Sequence, residues 1–311
     1  MKKINLPIHH LVDMDSLDQD IIQQLFKRAQ YFLDHCINKG CTLNTLENKL
    51  VANLFFETST RTRSSFTIAA KRLGALILNP NMSQTAIAKG ESLLDTIHSL
   101  EAMGVDLFVI RHTDNNTASF VASELSTDAA VINAGDGNNQ HPTQCLLDLF
   151  TISRHKNNFA DIKVSIIGDI LHSRVARSLV DGLRIMGTTN INLIAPAALT
   201  PSETDNYKDV TIHHSMEEGL NDADVVVALR IQKERMQEAD MPDPEKFYRE
   251  FGLTPSTLSF AKPDAIVMHP GPLNRGVEID SSVADGPQSV ILEQVRNGVA
   301  IRMALMDGLL N

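Results

Sequence analysis

The chain has 311 residues, 43% of them hydrophobic and 21% charged, with 28 Lys+Arg against 38 Asp+Glu and a net charge of -10. That length predicts about two domains, and the composition excludes extended disorder, collagen-like repeats or coiled coil as a description of the whole. The acidic balance argues against a general nucleic-acid binder, although it leaves room for a small basic pocket. Cys36, Cys41 and Cys145 form no C-x-x-C pair and no zinc-like spacing, so reduced thiols are expected. His9, His10, Asp13 and Asp15 follow Lys2 and Lys3, which leaves no apolar core for a signal peptide. With no apolar run of about 18 residues either, a soluble cytoplasmic protein is expected.

Taken in chain order, runs rich in β-branched and aromatic residues predict strands at 50–56, 75–79, 106–110 and 129–133. A second set falls at 163–168, 191–195, 225–229 and 265–269. Amphipathic segments at 60–73, 91–103, 116–127, 142–155 and 173–186 lie between them, and 291–309 reads as one helix. This alternation predicts an α/β fold of two similar-sized domains, each a parallel sheet flanked by helices. The expected domains are 1–142 plus 291–311, and 143–290, with no Gly/Ser linker between them. By composition, the charged stretch 231–250 reads as a solvated loop with a mobile helix.

The sharpest local feature is Ser59-Thr60-Arg61-Thr62-Arg63, which follows a predicted strand and opens a predicted helix. A helix N-terminus offers free N–H groups and positive dipole, the hydroxyls add donors, and Arg61 adds a charged fork suited to phosphate. Asn133 to Gln144 (NAGDGNNQHPTQ) also follows a strand, with Pro142 suited to a first helical turn. His141 and Gln144, three apart, then share one helical face. Arg111 follows strand 106–110, and Lys89 lies with Thr85 in the loop 80–90. Arg174 opens the helix after strand 163–168, in a segment that lacks the G-x-G-x-x-G fingerprint of a dinucleotide site. Arg230 and Gln232 follow strand 225–229, and the turn from His269 to Arg275 follows the last strand. Cations thus gather at predicted strand ends, where open α/β sheets bind ligands, and an anionic ligand or pair of ligands is expected.

With these motifs, the chain resembles the catalytic chains of the aspartate carbamoyltransferase family over essentially all 311 residues. The resemblance rests on Ser59-Thr60-Arg61-Thr62-Arg63, His141-Pro142-Thr143-Gln144 and Arg111-His112, in that order and at those distances. Phe56-Glu57 and Arg230-Ile231-Gln232-Lys233-Glu234-Arg235 indicate the aspartate branch. The ornithine branch usually has an H-C-L-P turn and a D-x-W-x-S-M motif. This chain has His269-Pro270-Gly271-Pro272 and no Trp.

The resemblance implies that Ser59, Thr60, Arg61 and Thr62 bind the phosphate of carbamoyl phosphate. It implies that Thr62, Arg111 and His141 contact the carbonyl oxygen, and that Gln144 and the main chain at Gly271, Pro272 and Leu273 hold the carbamoyl amino group. Arg174, Arg230 and Gln232 would bind the carboxylates of aspartate, with Lys89 as a further contact. Lys89 and Thr85 would come from a neighbouring subunit of a homotrimer, Thr85 standing where the family usually has Ser. The segment 231–250 would close over aspartate. The implied reaction is carbamoyl transfer to aspartate in pyrimidine synthesis, without a metal or organic cofactor, and regulatory or dihydroorotase-like partner chains are possible companions. The alternatives are transfer to another amine such as ornithine, which Arg174 and Arg230 oppose, and a non-catalytic ligand-binding relative.

Overall fold

The computed structural model describes residues 6–82, 90–201, 207–232, 236 and 242–311. The chain divides into two compact units, Met1–Leu147 with Arg296–Asn311, and Asp148–Val295. The division falls inside α5 (Pro142–His155) and inside α11 (Ile291–Leu309), where the expected bounds were 142 and 291. Each of these helices runs on through the division, so no composition break in the sequence marks it.

In the first unit, β1 (Leu50–Phe55), β2 (Leu76–Leu78), β3 (Leu107–His112) and β4 (Ala130–Asp136) form a parallel sheet in the order β2-β1-β3-β4. All seven residues of β4 are buried, as expected of a strand covered on both faces. The apolar side chains of β1 and β3 pack with Ile97 of α3 (Leu93–Ala102) and Ala118 and Val121 of α4 (Thr117–Glu124). Beside the sheet stands α2 (Thr60–Arg72), which buries Phe66, Ala69 and Ala70 at helical spacing.

The second unit holds β5 (Lys163–Ile167), β6 (Asn190–Ile194), β7 (Thr211–His213), β8 (Val225–Ala228) and β9 (Ile266–Met268), again all parallel, in the order β7-β6-β5-β8-β9. Its longest helix wholly within the unit, α6 (Arg174–Ile185), buries Ala176, Leu179, Val180 and Leu183 along one stripe. The shorter helices are α7 (Met216–Leu220), α8 (Pro244–Phe251), α9 (Pro255–Leu258) and α10 (Ser281–Ala284). The expected fold class, two parallel sheets flanked by helices, is borne out.

Among the described residues, α1, β7 and the short helices α7, α9 and α10 fall outside the sequence expectation, whereas α8 is a helix within the charged stretch where one was expected. The helix α1 (Gln19–Phe32) is capped by Asp18, which accepts from the Ile21 amide, and buries Ile22, Leu25, Ala29 and Phe32. Interleaved Gln, Lys and Arg hide that stripe in the composition. β7 is a three-residue edge strand of mixed polarity. α8 lies in the charged stretch, where Asp243 accepts from the Lys246 amide, Pro244 opens the helix, and Phe247 and Phe251 are buried one turn apart.

Candidate active site

In an open parallel sheet, ligands bind beyond the carboxyl ends of the strands, at the point where the strand order reverses. In the first unit the order runs back from β2 to β1 and then forward to β3 and β4, so the reversal lies between β1 and β3. Ser59-Thr60-Arg61-Thr62 follows β1, Arg111 is the penultimate residue of β3, and His141 follows β4. In the second unit the reversal lies between β5 and β8. Arg174 follows β5, Arg230 and Gln232 follow β8, and the turn from His269 follows β9. Within each unit, the expected residues that the structure describes therefore follow adjacent strands, at the reversal or one strand beyond it.

The α2 terminus is built without glycine. Ser59 is the N-cap but, among the described residues, its side chain makes no capping bond to the first turn. Thr60 and Arg61 are exposed, and Ser59 and Thr62 are half-buried. Phe66 anchors the helix from below, and the Arg302 guanidinium lies 4.9 Å from the centre of its ring. The registration Phe55↔Arg111 brings the end of β3 level with the start of this loop.

Arg111 is held on two sides. Its Nη1 donates to the Ala134 carbonyl at 3.0 Å, and its Nη2 is 2.5 Å from Glu57 Oε1. Both side chains are largely buried, so the pair fixes the plane of the guanidinium. His141 is buried immediately ahead of α5, its carbonyl accepting from the amides of Gln144 and Cys145. Gln144 is buried one turn along, as the spacing predicts.

In the second unit the side chain of Asp169 is fully buried. Its Oδ1 accepts from the amide and Nδ1 of His172 at 3.2 and 2.9 Å, and its Oδ2 accepts from the Gln232 amide at 3.1 Å. Gln232 Nε2 donates to the His172 carbonyl at 3.0 Å. This carboxylate therefore joins the loop after β5 to the loop after β8. Gly168 stands at φ +123°, and a Cβ there would collide with the Leu229 carbonyl oxygen. Ser173 caps α6 by accepting from the Ala176 amide at 3.1 Å, which leaves Arg174, buried, as the first helical residue. β8 ends at Ala228, so Arg230 and Gln232 lie beyond its strand pairing.

The turn after β9 is organised by a buried His269. Its Nδ1 accepts from the Gly271 amide at 2.8 Å, so the proton lies on Nε2, which donates to Glu278 Oε1 at 3.1 Å. The same Glu278 oxygen accepts from the Asn274 amide. Gly271 takes φ +69° and the Gly271–Pro272 bond is cis. Thr85 and Lys89, and most of the segment 233–241, lie outside the described residues.

Four side chains that organise these loops are not among the expected site residues: Asp136, Asp169, His269 and Glu278. Two share a signal that was present in the sequence. Gly135-Asp136 and Gly168-Asp169 are both Gly-Asp pairs at the end of a buried strand, where backbone N–H donors crowd.

The geometry defines a class: a parallel α/β protein of two units, each with cations at the reversal of its sheet. Residues 9–154 match the "Aspartate/ornithine carbamoyltransferase, carbamoyl-P binding domain", and residues 160–309 the "Asp/Orn binding domain" of the same enzymes. The chain belongs to the aspartate/ornithine carbamoyltransferase family, as its resemblance implied. It is 54% identical over 304 residues to the aspartate carbamoyltransferase catalytic subunit of Coxiella burnetii, covering 97% of this chain and 96% of that one. The aspartate transcarbamoylase of Trypanosoma cruzi, solved with carbamoyl phosphate and aspartate, superposes with a TM-score of 0.87 at 30% identity, over 98% of both chains. The ornithine carbamoyltransferase of Thermus thermophilus shares the fold, with a TM-score of 0.84 at 22% identity over 98% of this chain and 99% of that one.

Proposed function

We propose that the chain is an enzyme that transfers the carbamoyl group of carbamoyl phosphate to the amine of L-aspartate, giving N-carbamoyl-L-aspartate and phosphate. The observation that carries this reading is the placement of cations at both sheet reversals, Arg61 and Arg111 in one unit and Arg174 and Arg230 in the other. The first unit takes the phosphoryl donor on the α2 terminus, with Ser59, Thr60, Arg61 and Thr62 on the phosphate. Thr62, Arg111 and His141 face the carbonyl oxygen, and Gln144 with the main chain at 271–273 holds the carbamoyl amino group. Arg174, Arg230 and Gln232 bind the acceptor carboxylates. An acceptor with a cationic side chain is repelled by those arginines.

The deprotonated amine attacks the carbonyl carbon, and negative charge develops on the carbonyl oxygen. Donors fixed before the reaction stabilise that charge without reorganising, each worth about 3–4 kcal/mol in a water-poor site. The tetrahedral intermediate expels phosphate, whose charge is met by Arg61 and the α2 terminus. The phosphate accepts the proton lost by the amine, which balances the step. Positioning two anionic substrates against each other is the other contribution of the arginines.

The resemblance supports a cytoplasmic homotrimer working in pyrimidine synthesis, with Thr85 and Lys89 supplied by a neighbouring subunit and Lys89 reaching the acceptor. Among the described residues, no helix is long and apolar enough to cross a membrane. The deciding experiment offers carbamoyl phosphate with aspartate or with ornithine and identifies the product by mass. Carbamoyl-aspartate alone is expected. Citrulline overturns the acceptor assignment, and no product in either reaction overturns the activity.

A further inference from the structure

We infer that Asp136 is a positioning residue for the carbonyl-activating pair, fixing Arg111 and His141 by clamping together the two loops that carry them. The inference rests on the reading in which those two residues face the carbonyl of carbamoyl phosphate. Asp136 is the last residue of β4 and is 2% exposed. Its Oδ2 accepts from the Asn116 amide at 2.6 Å and from Asn139 Nδ2 at 3.5 Å, and its Oδ1 from the Gln140 amide at 3.1 Å and Asn133 Nδ2 at 3.0 Å. Asn116 belongs to the loop after β3, which begins at Thr113, two residues beyond Arg111. Gln140 immediately precedes His141.

The clamp extends beyond the carboxylate. The Asp136 amide donates to the Gln140 carbonyl at 3.1 Å, so residue 140 is gripped at both its backbone groups. The Gly137 amide donates to the His112 carbonyl at 3.0 Å. Asn115 and Asn138 pair through Asn115 Nδ2 to Asn138 Oδ1 and the Asn138 amide to Asn115 Oδ1, both at 3.1 Å. Asn139 Nδ2 reaches Asn116 Oδ1 at 3.0 Å. Gly137, at φ +45°, has no room for a Cβ, which would strike Asn115 Oδ1. Segments 112–117 and 133–141 thus form one plate, with Asp136 at its buried centre and asparagines along its rim. The Ala134 carbonyl that holds Arg111 belongs to the same plate.

A carboxylate suits this place because both of its oxygens must accept. Asn in its stead has one oxygen, and whichever way it turns, its NH2 faces the N–H of Asn116 or of Gln140. The phosphate cradle on α2 makes no use of these bonds, so catalysis and phosphate binding should separate. In full-length Asp136→Asn, kcat is expected to fall by about tenfold or more while inhibition by inorganic phosphate stays within about twofold. The carbonyl stretching band of bound, isotope-labelled carbamoyl phosphate, lowered in frequency by donors to its oxygen, is expected to move back toward the free value. Should that variant fail to fold, the double variant Asn138→Ala with Asn139→Ala removes only the rim, with an expected fall in kcat of about threefold and the same unchanged phosphate inhibition. An unchanged kcat in the folded variant overturns the positioning role. So does a parallel loss of turnover and phosphate inhibition, which marks Asp136 as support for the whole unit. Wild-type turnover with aspartate tests the reaction itself, and the carbonyl band reports on the clamp whichever amine is the acceptor.

Discussion

Replacing Asp169 with Asn tests how far acceptor recognition depends on one buried carboxylate. Asn keeps the volume but supplies a single oxygen. Turned toward His172 it keeps two bonds and sets its NH2 against the Gln232 amide, now 3.1 Å from Oδ2. Losing a buried hydrogen bond to a charged acceptor corresponds to about 1.5–3 kcal/mol. The segment Arg230–Gln232 is then ordered only when the acceptor binds, so the loss is drawn from acceptor affinity. At about 1.4 kcal/mol per factor of ten, the KM for aspartate rises roughly 10- to 150-fold. If the α2 terminus carries the phosphate as proposed, the KM for carbamoyl phosphate stays within about twofold. Initial rates with aspartate varied at saturating carbamoyl phosphate measure the effect, and circular dichroism confirms the fold. An unchanged KM for aspartate, or an equal rise for both substrates, refutes the reasoning.

Arg61→Ala removes an exposed side chain from the cradle, so the chain should fold normally and lose nearly all turnover in the product assay. Near-normal activity there would remove Arg61 from the phosphate site. Asp307→Ala breaks a buried pair in which Arg28 Nε and Nη2 both lie 2.7 Å from Asp307 Oδ2. A buried charge left uncompensated costs about 3–5 kcal/mol, and a thermal melt should show Tm lowered by roughly 6–20 °C. Burial raises the Glu101 pKa, but bonds from the Thr127 hydroxyl and amide and the Ser126 amide outweigh it, and the carboxyl titrates below its ordinary value. Its contribution to stability is therefore present above the ordinary carboxylate range and disappears as pH falls through the lowered value. In denaturant titrations, Glu101→Gln should be less stable than wild type at neutral pH, with the gap closing in acid. A gap that persists unchanged in acid excludes the charge as its source.

Eight of the nine strands among the described residues were legible because each is a short, nearly continuous apolar run, and a strand buried on both faces has no reason to alternate. The cations were legible because they are polar punctuation directly after such runs: Arg111 after Leu107–Ile110, and Arg230 after Val225–Leu229. What stayed hidden was the set of groups that hold them. Asp136 acts on an amide 20 residues back and Asp169 on one 63 residues ahead, separations that no local period encodes. The buried pair of His269 and Glu278 is similar, since only the folded turn shows which ring nitrogen accepts and which donates. α1 escaped because its apolar stripe is diluted by Gln and Lys, and β7 because three residues of mixed polarity carry too little pattern.

The interrupted sequence of the first unit bears on how the chain is made. Arg28 and Asp307 are neighbours in space and 279 residues apart in synthesis. Everything between Asp148 and Val295 belongs to the other unit, whose two sheet edges and five strands are complete before Asp307 exists. During translation the second unit can therefore mature as an uninterrupted segment. In the first unit, the guanidinium of an early helix meets its counter-ion only after the whole of the second unit has been synthesised. Order of birth and order of completion along the chain are thus reversed.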